Sequence, residues 1–384
     1  MSRIKTASCA LTTAAAALTV SQSLLAHHGF GNFDRANDAT FEGTITSIDF
    51  VNPHAYLYFD MNTDNGESIA MRCEMRAATL MRRSGWSKEM FATGLPVTIY
   101  GFKHRTDPGS CYVEEITIGE AQVLNRNDQL DTPALDLSVR PPLLPDGTPN
   151  IIGDWAQEQY VIARPPSGEN IGLVPKSMKP GVEAGTIAPA DVPGSGWGAR
   201  PVTLTALGQR EADAHRGDLV ADNPRLRCQP TSILFDWVFD GPVNRITQED
   251  ERIIINYGLY SFERIIYMNM QNHPADIQPS YAGHSIGHWE SGNTDAEYVL
   301  VVDTTGFEPG LLAAPVKHSD QLHIVERFTL NTGNWSLARE YIAEDPVYFE
   351  DSYIGGDIVL LSEVPYEKHD CDELTFEFLD AQER

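Results

Sequence analysis

Three histidines and two acids in the second half of the chain carry its clearest chemistry: His284, His318, His323, Asp320 and Glu326. Histidine titrates near neutrality and can take a proton from a bound molecule or return one. His284 lies in Gly283-His284-Ser285-Ile286-Gly287, a glycine-flanked turn expected before a strand, at the mouth of a barrel. Asp320, in the loop His318-Ser319-Asp320, or Glu326 could orient it as an acid–base pair; the plainer reading is a histidine bonded to loop backbone. On Leu322–Phe328, strand alternation sends His323, Val325 and Arg327 to one face and Leu322, Ile324, Glu326 and Phe328 to the other. A carboxylate on that apolar face is costly unless it is paired or protonated. Glu326 is therefore expected either as a buried acid with a raised pKa or as half of an ion pair with Arg264 or Arg252. The 283–287 segment also reads literally as Gly-x-Ser-x-Gly, but a strand pattern follows it where a nucleophile elbow needs a helix. That argues against a serine hydrolase.

A second chemistry sits at the start. Arg3 and Lys5 precede an apolar run from Ala10 to Val20, then Ser21–Ala26 and His27-His28-Gly29-Phe30. This is the pattern of a secretory signal peptide with cleavage near Ala26. His27 would then be the mature N-terminus, and its amine and imidazole could chelate copper with His54 or His104 as a further ligand. The plainer reading is a solvated terminus. No Rossmann fingerprint, phosphate loop or Cys-x-x-Cys is present, so no organic cofactor is expected.

The elements that must position these groups are mostly strands. From Phe41 to Leu124 five strands are expected, with a helix over Arg76–Arg83 between the third and fourth, the order of an OB-like five-stranded barrel over residues 27–127. Residues 128–150, with Pro133, Pro141, Pro142, Pro145 and Pro149, read as an extended linker. Residues 151–384 hold eight to ten short strands, a helix at Thr205–Ala214 that Thr205 could cap, and a Pro/Gly-rich insertion over 164–200. A closed antiparallel lipocalin-like barrel is expected there. Its aromatics, including Trp155, Tyr257, Phe262 and Trp289, with His318 and His323, could line a cavity for one small apolar molecule. Ordinary core is the plainer reading for aromatics in a barrel.

Composition bounds the partners. Loss of residues 1–26 moves the formal charge from −26 to −28, because Arg3 and Lys5 are its only charged groups. A body this acidic is not suited to nucleic acid or anionic membranes. No later stretch has the apolar length of a membrane span. Four cysteines remain, Cys73, Cys111, Cys228 and Cys371, and an oxidising compartment favours their pairing, within each domain by position.

Two resemblances cover most of the chain. Residues 27 to about 125 resemble a family of short exported bacterial proteins of unknown function. They share His27-His28-Gly29-Phe30, Phe41-Glu42-Gly43-Thr44, Asn52-Pro53-His54-Ala55 and Ser84-Gly85-Trp86, with Gly29 where that family often has Ser. Residues 150–350 resemble a second uncharacterised exported group through Gly283–Glu290, Leu300–Phe307, His318-Ser319-Asp320 and Leu322–Arg327. His288 stands where that pattern usually has Arg, and Ser291–Tyr298 lengthens its turn. Neither resemblance implies a reaction. Small-molecule binding with cofactor-free proton transfer is the leading expectation, a metal-binding protein the second, and a non-catalytic envelope module the third.

Overall fold

The computed structural model describes residues 33–368 apart from 53, 64–65, 131–134, 169–172, 189–190, 193–199, 217–221, 240, 261 and 295–296. The expected signal segment and His27 lie outside the described residues, as does Cys371. Among the described residues no helix is long and apolar enough to cross a membrane.

The first unit is built from β1 (Phe33–Asp49), β2 (Tyr56–Asn62), β3 (Ser68–Glu74), helix α1 (Ala78–Arg83), β4 (Pro96–His104), β5 (Ser110–Ile118) and the short β6 (Leu124–Asn125). Inward residues alternate as a pleated strand requires: Phe41 and Ile45 on β1, Leu57 and Phe59 on β2, Val97 and Ile99 on β4. A register shift between Ile45 and Ser47 changes the parity, so Ile48 also turns inward. Antiparallel pairings run β3-β2-β1-β4-β5-β6, and β3 also pairs with β5 in parallel, which closes a ring. The closing rung sets Cys73 opposite Cys111, and a disulfide joins them. Gly101 makes the ring's tightest approach: a Cβ there would lie 1.9 Å from the Tyr112 carbonyl oxygen.

The expected linker lies against the second unit. Arg140 donates to the carbonyls of Asn150, at 3.1 Å, and Ile152, and its guanidinium covers the Trp335 ring at 4.6 Å. Arg83, at the end of α1, ties the units together. It is buried and donates to the carbonyls of Gly241, at 3.0 Å, and Gln157. Burial pushes Arg83 down to about 10, still high enough to stay charged at neutral pH.

The second unit begins with β7 (Gly153–Gln157), β8 (Tyr160–Ile162), β9 (Leu173–Pro175), α2 (Lys179–Glu183) and α3 (Ala206–Ala214). Thr205 caps α3 as expected, accepting from the Gly208 amide at 3.1 Å. Then come β10 (Asn244–Glu249), β11 (Arg252–Asn256), β12 (Glu263–Tyr267), β13 (His284–Ser291), β14 (Glu297–Thr305), β15 (Gly310–Ala313), β16 (Val316–His318), β17 (His323–Asn331), β18 (Ser336–Glu344) and β19 (Tyr353–Leu361). Nine of them close a barrel in the order β10-β11-β12-β13-β14-β17-β18-β19-β7. The expected strand at Val347–Phe349 is instead a turn held by Asp345, whose carboxylate accepts from the Val347 amide at 2.9 Å; the ninth wall is β19.

The barrel departs from an all-antiparallel lipocalin-like wall in two ways. First, β12 and β13 pair in parallel, Ile266 with Ser285 and Tyr267 with Ile286. A parallel pair needs a long crossover connection, and Met268–Gly283 supplies it. Second, a segment outside the wall strands joins the buried cluster. Ile233, Leu234 and Trp237, from a turn-rich segment, pack with Trp155, Tyr257, Ile266, Leu300 and Phe328 in one buried cluster. Between the units, beside Arg83 and Val243, lies a recess of about 10 Å³, room for one water.

The disulfide closes a loop of 38 residues across the ring's seam. Replacing both cysteines by alanine is expected to cost about 3–4 kcal/mol from loop entropy. Urea unfolding followed by a first-unit signal such as Trp86 fluorescence checks it.

Candidate functional site

The crossover creates the site. As the chain returns from β12 to β13 it lays His273 over the outer face of the wall, where His284, the first residue of β13, also points. The two Nδ1 atoms are 2.8 Å apart. His273 Nε2 meets Asp303 Oδ1 of β14 at 3.1 Å, and His323 Nε2 of β17 meets the same oxygen at 3.0 Å. The Tyr267 ring stacks on His284 at 5.1 Å and 17°. Outward placement follows from alternation, since Ser285, Thr304 and Ile324 next along the three strands are fully buried.

These contacts order the protons. A carboxylate oxygen accepts, so both Nε2 atoms facing Asp303 carry hydrogen. The neutral His273 ring then has its lone pair on Nδ1, where it accepts the Nδ1–H of His284. His284 is left with an unprotonated Nε2. Burial first, and the neighbouring His273 second, hold the His284 imidazole below the ordinary histidine range, which favours its neutral form. The arrangement can take up a proton at one end and share the charge with a carboxylate at the other.

Of the expected partners of His284, Asp320 is exposed in its loop and the orienting carboxylate is Asp303, reached through His273. His284 is the first residue of β13, just after Gly283 and opposite Thr305, the last residue of β14. His323 joins this set rather than a cavity lining.

Glu326 faces the opposite way, and the geometry is that of the ion pair, doubled. It is fully buried and accepts from Arg264 Nη2 and from Arg339 Nη1, the latter at 3.2 Å. Arg264 was one of the two expected partners; Arg252 instead pairs with Glu249 at the surface. Arg339 also holds Asp357 at 2.6 Å and donates to the carbonyls of Ile233 at 3.1 Å and Leu234 at 2.9 Å, fastening the inner segment. Ser285 Oγ accepts from Arg264 Nε at 2.9 Å in the same buried network.

The aromatic candidates are core. Trp155 donates its indole N–H to the Ile151 carbonyl at 2.9 Å, and Tyr257 bonds the Ile233 carbonyl at 3.2 Å while stacking on Phe262 at 4.0 Å. Burial pushes the Tyr257 phenol up to about 12. Trp289 is partly buried against the same cluster. His318 is buried, with Nδ1 at 3.1 Å from the Ser319 carbonyl oxygen, and burial pushes its imidazole down. That is the backbone-bonded role.

The metal candidates separate. His54 Nδ1 faces Glu74 at 3.0 Å. His104 Nδ1 accepts the Asp107 amide at 3.0 Å. Among the described residues no group of three or more His, Cys, Asp or Glu is arranged to hold a metal. Cys228 is disulfide-bonded.

Residues 15–110 match the model of a Family of unknown function (DUF6152). This agrees with the resemblance of the first half to an uncharacterised family. The match ends at the first residue of β5 and so does not reach the barrel or its histidines. A comparison with curated proteins finds no match.

Sequence reasoning missed His273, because a loop histidine has no register to betray its partner. Asp303 was within reach: it is the one charged residue in the Tyr298–Thr305 run, on the outward parity.

Removing the Glu326 charge leaves two buried guanidiniums without their shared partner, and Glu326→Gln is expected to destabilise by about 3–5 kcal/mol. His284→Gln, on the flank, is expected to stay within about 1 kcal/mol of wild type. Thermal unfolding of both variants distinguishes the structural carboxylate from the surface base.

Proposed function

We propose that this is an exported protein that binds a small, largely apolar molecule on the outer flank of the nine-strand barrel, where His284 transfers a proton without an organic cofactor. The observation that carries this reading is the chain His284–His273–Asp303, with contacts of 2.8 and 3.1 Å. Such a chain fixes one tautomer and leaves one basic nitrogen outward, the requirement of a positioned general base.

An apolar surface adjoins it. The register sets Ile286, Asp303, Val325, Ile342 and Ile354 side by side across β13, β14, β17, β18 and β19. Ile342 and Ile354 are 46% and 59% exposed, and Met270 and Tyr281 of the crossover are exposed nearby in sequence. Four aliphatic side chains flanking one carboxylate suit a ligand with an apolar body and one weakly acidic group. Export is supported by the buried Cys73–Cys111 disulfide. The ring order β1-β2-β3-β5-β4, with α1 between its third and fourth strands, supports an OB-like reading of the first unit.

A thermal-shift screen of apolar compounds carrying an acidic C–H or O–H tests the binding. At least one is expected to stabilise wild type and to lose that effect in Ile342→Glu. Deuterium uptake into the bound compound then tests the chemistry, with a drop of about 10²–10⁴-fold expected in His284→Gln. No stabilisation by any apolar compound would favour the non-catalytic envelope module instead.

A further inference from the structure

The crossover loop is tied down in three places. At its start the Met268 amide donates to the Glu251 carbonyl at 2.8 Å, and Asn269 Nδ2 to the Glu251 carboxylate at 2.8 Å. Near its end the Ser280 amide bonds the Gly306 carbonyl at 3.2 Å, the Glu308 amide bonds the Ser280 carbonyl at 3.1 Å, and Ile277 packs on Gly306, where a Cβ would come within 2.4 Å of it. Between these anchors residues 269–272 and 274–276 are exposed. His273, half-buried, is the tie in the middle, through His284 and Asp303.

That middle tie tolerates a limited number of protons. Two imidazole nitrogens 2.8 Å apart need one hydrogen between them, and one lone pair to receive it. With the pair neutral, or carrying one extra proton beside Asp303, the contact stands. A second extra proton makes both rings cationic and removes the lone pair, so the contact becomes a repulsion at close range.

We infer that the His273–His284 contact is a proton-operated latch: it holds the middle of the 268–283 crossover against the barrel when the pair shares a hydrogen, and releases it when both rings are protonated. The latch shares His284 with the proposed base but does not depend on any chemistry there. The groups facing the pair are few. Asp303 of β14 accepts from His273, and His323 of β17 competes for the same oxygen. Glu344 of β18 stands opposite His323 in register, Tyr267 of β12 stacks on His284, and uncharged Thr305 lies opposite His284. Asp276 and Glu308 are the acids of the loop and its distal anchor. One carboxylate at the centre therefore serves three imidazoles, too little to neutralise all of them once each is charged.

The direction with pH follows. His284 is held below its ordinary value in the closed state, by burial and by His273, so the open state binds the proton more readily. Closure is fully favoured above the ordinary imidazole value of about 6.5 and weakens as pH falls below it.

Hydrogen exchange of residues 269–276, corrected for intrinsic rates, reads the latch. In wild type, protection is expected to drop about tenfold or more between pH 8 and pH 5, with the barrel strands unchanged. His284→Gln and His284→Phe, the latter keeping a ring on Tyr267, leave His273 on Asp303 with no second imidazole at its Nδ1; both should hold the loop equally at the two pH values. His273→Asn should leave it loose at both. Equal wild-type protection at pH 8 and pH 5, or the same acid-induced loss in both His284 variants, would overturn the latch. Either result leaves the ligand screen and deuterium-uptake test of the proposed base untouched.

Discussion

The barrel is organised by a single buried carboxylate. Glu326 sits fully enclosed between the guanidiniums of Arg264 and Arg339, and neither charge would be tolerated there alone. Through Arg264 the network reaches Ser285 and Thr304 on β13 and β14; through Arg339 it reaches Asp357 on β19 and the backbone of Ile233 and Leu234. One network thus joins six walls to the segment packed against them. That segment brings Trp237 into the buried cluster, edge-on to Tyr257 and Phe328.

The outer flank inherits its chemistry from a topological accident of the wall. Had β12 and β13 paired antiparallel, a short hairpin would have sufficed, and no long loop would cross the barrel there. The parallel pairing demands the crossover, and the crossover carries His273 to His284 and Asp303. Close by, the network inside the wall holds Ser285 and Thr304 by their hydroxyls, so their outward neighbours His284 and Asp303 stand on backbone anchored from within. The rigid interior and the titrating exterior are two faces of the same strands.

The first unit is a separate solution to the same problem of closing a sheet. A ring of five strands leaves one parallel seam, and the Cys73–Cys111 bridge crosses that seam. Its contact with the barrel runs through Arg83, which gives its buried donors to two backbone carbonyls rather than to a carboxylate. A residue read from sequence only as the end of a helix is the joint between the units.

Local pattern was enough for the elements. Alternating apolar residues located most strands within a few positions, Thr205 capped its helix, and the paired cysteines fell within one unit, because each depends on neighbours along the chain or on a simple count. Alternation also put Glu326 and His323 on opposite faces of their strand. It could not choose between a lone acid and an ion pair, since Arg264 and Arg339 come from strands 62 and 13 residues away. Nor could it reveal that Ile233, Leu234 and Trp237 join the barrel's buried cluster, that β12 and β13 run in parallel, or that His273 is the partner of His284. Strand periodicity tells which face a side chain takes; only the closed wall decides what waits on that face, because contact across a barrel depends on strand order and register, which no stretch of sequence carries by itself.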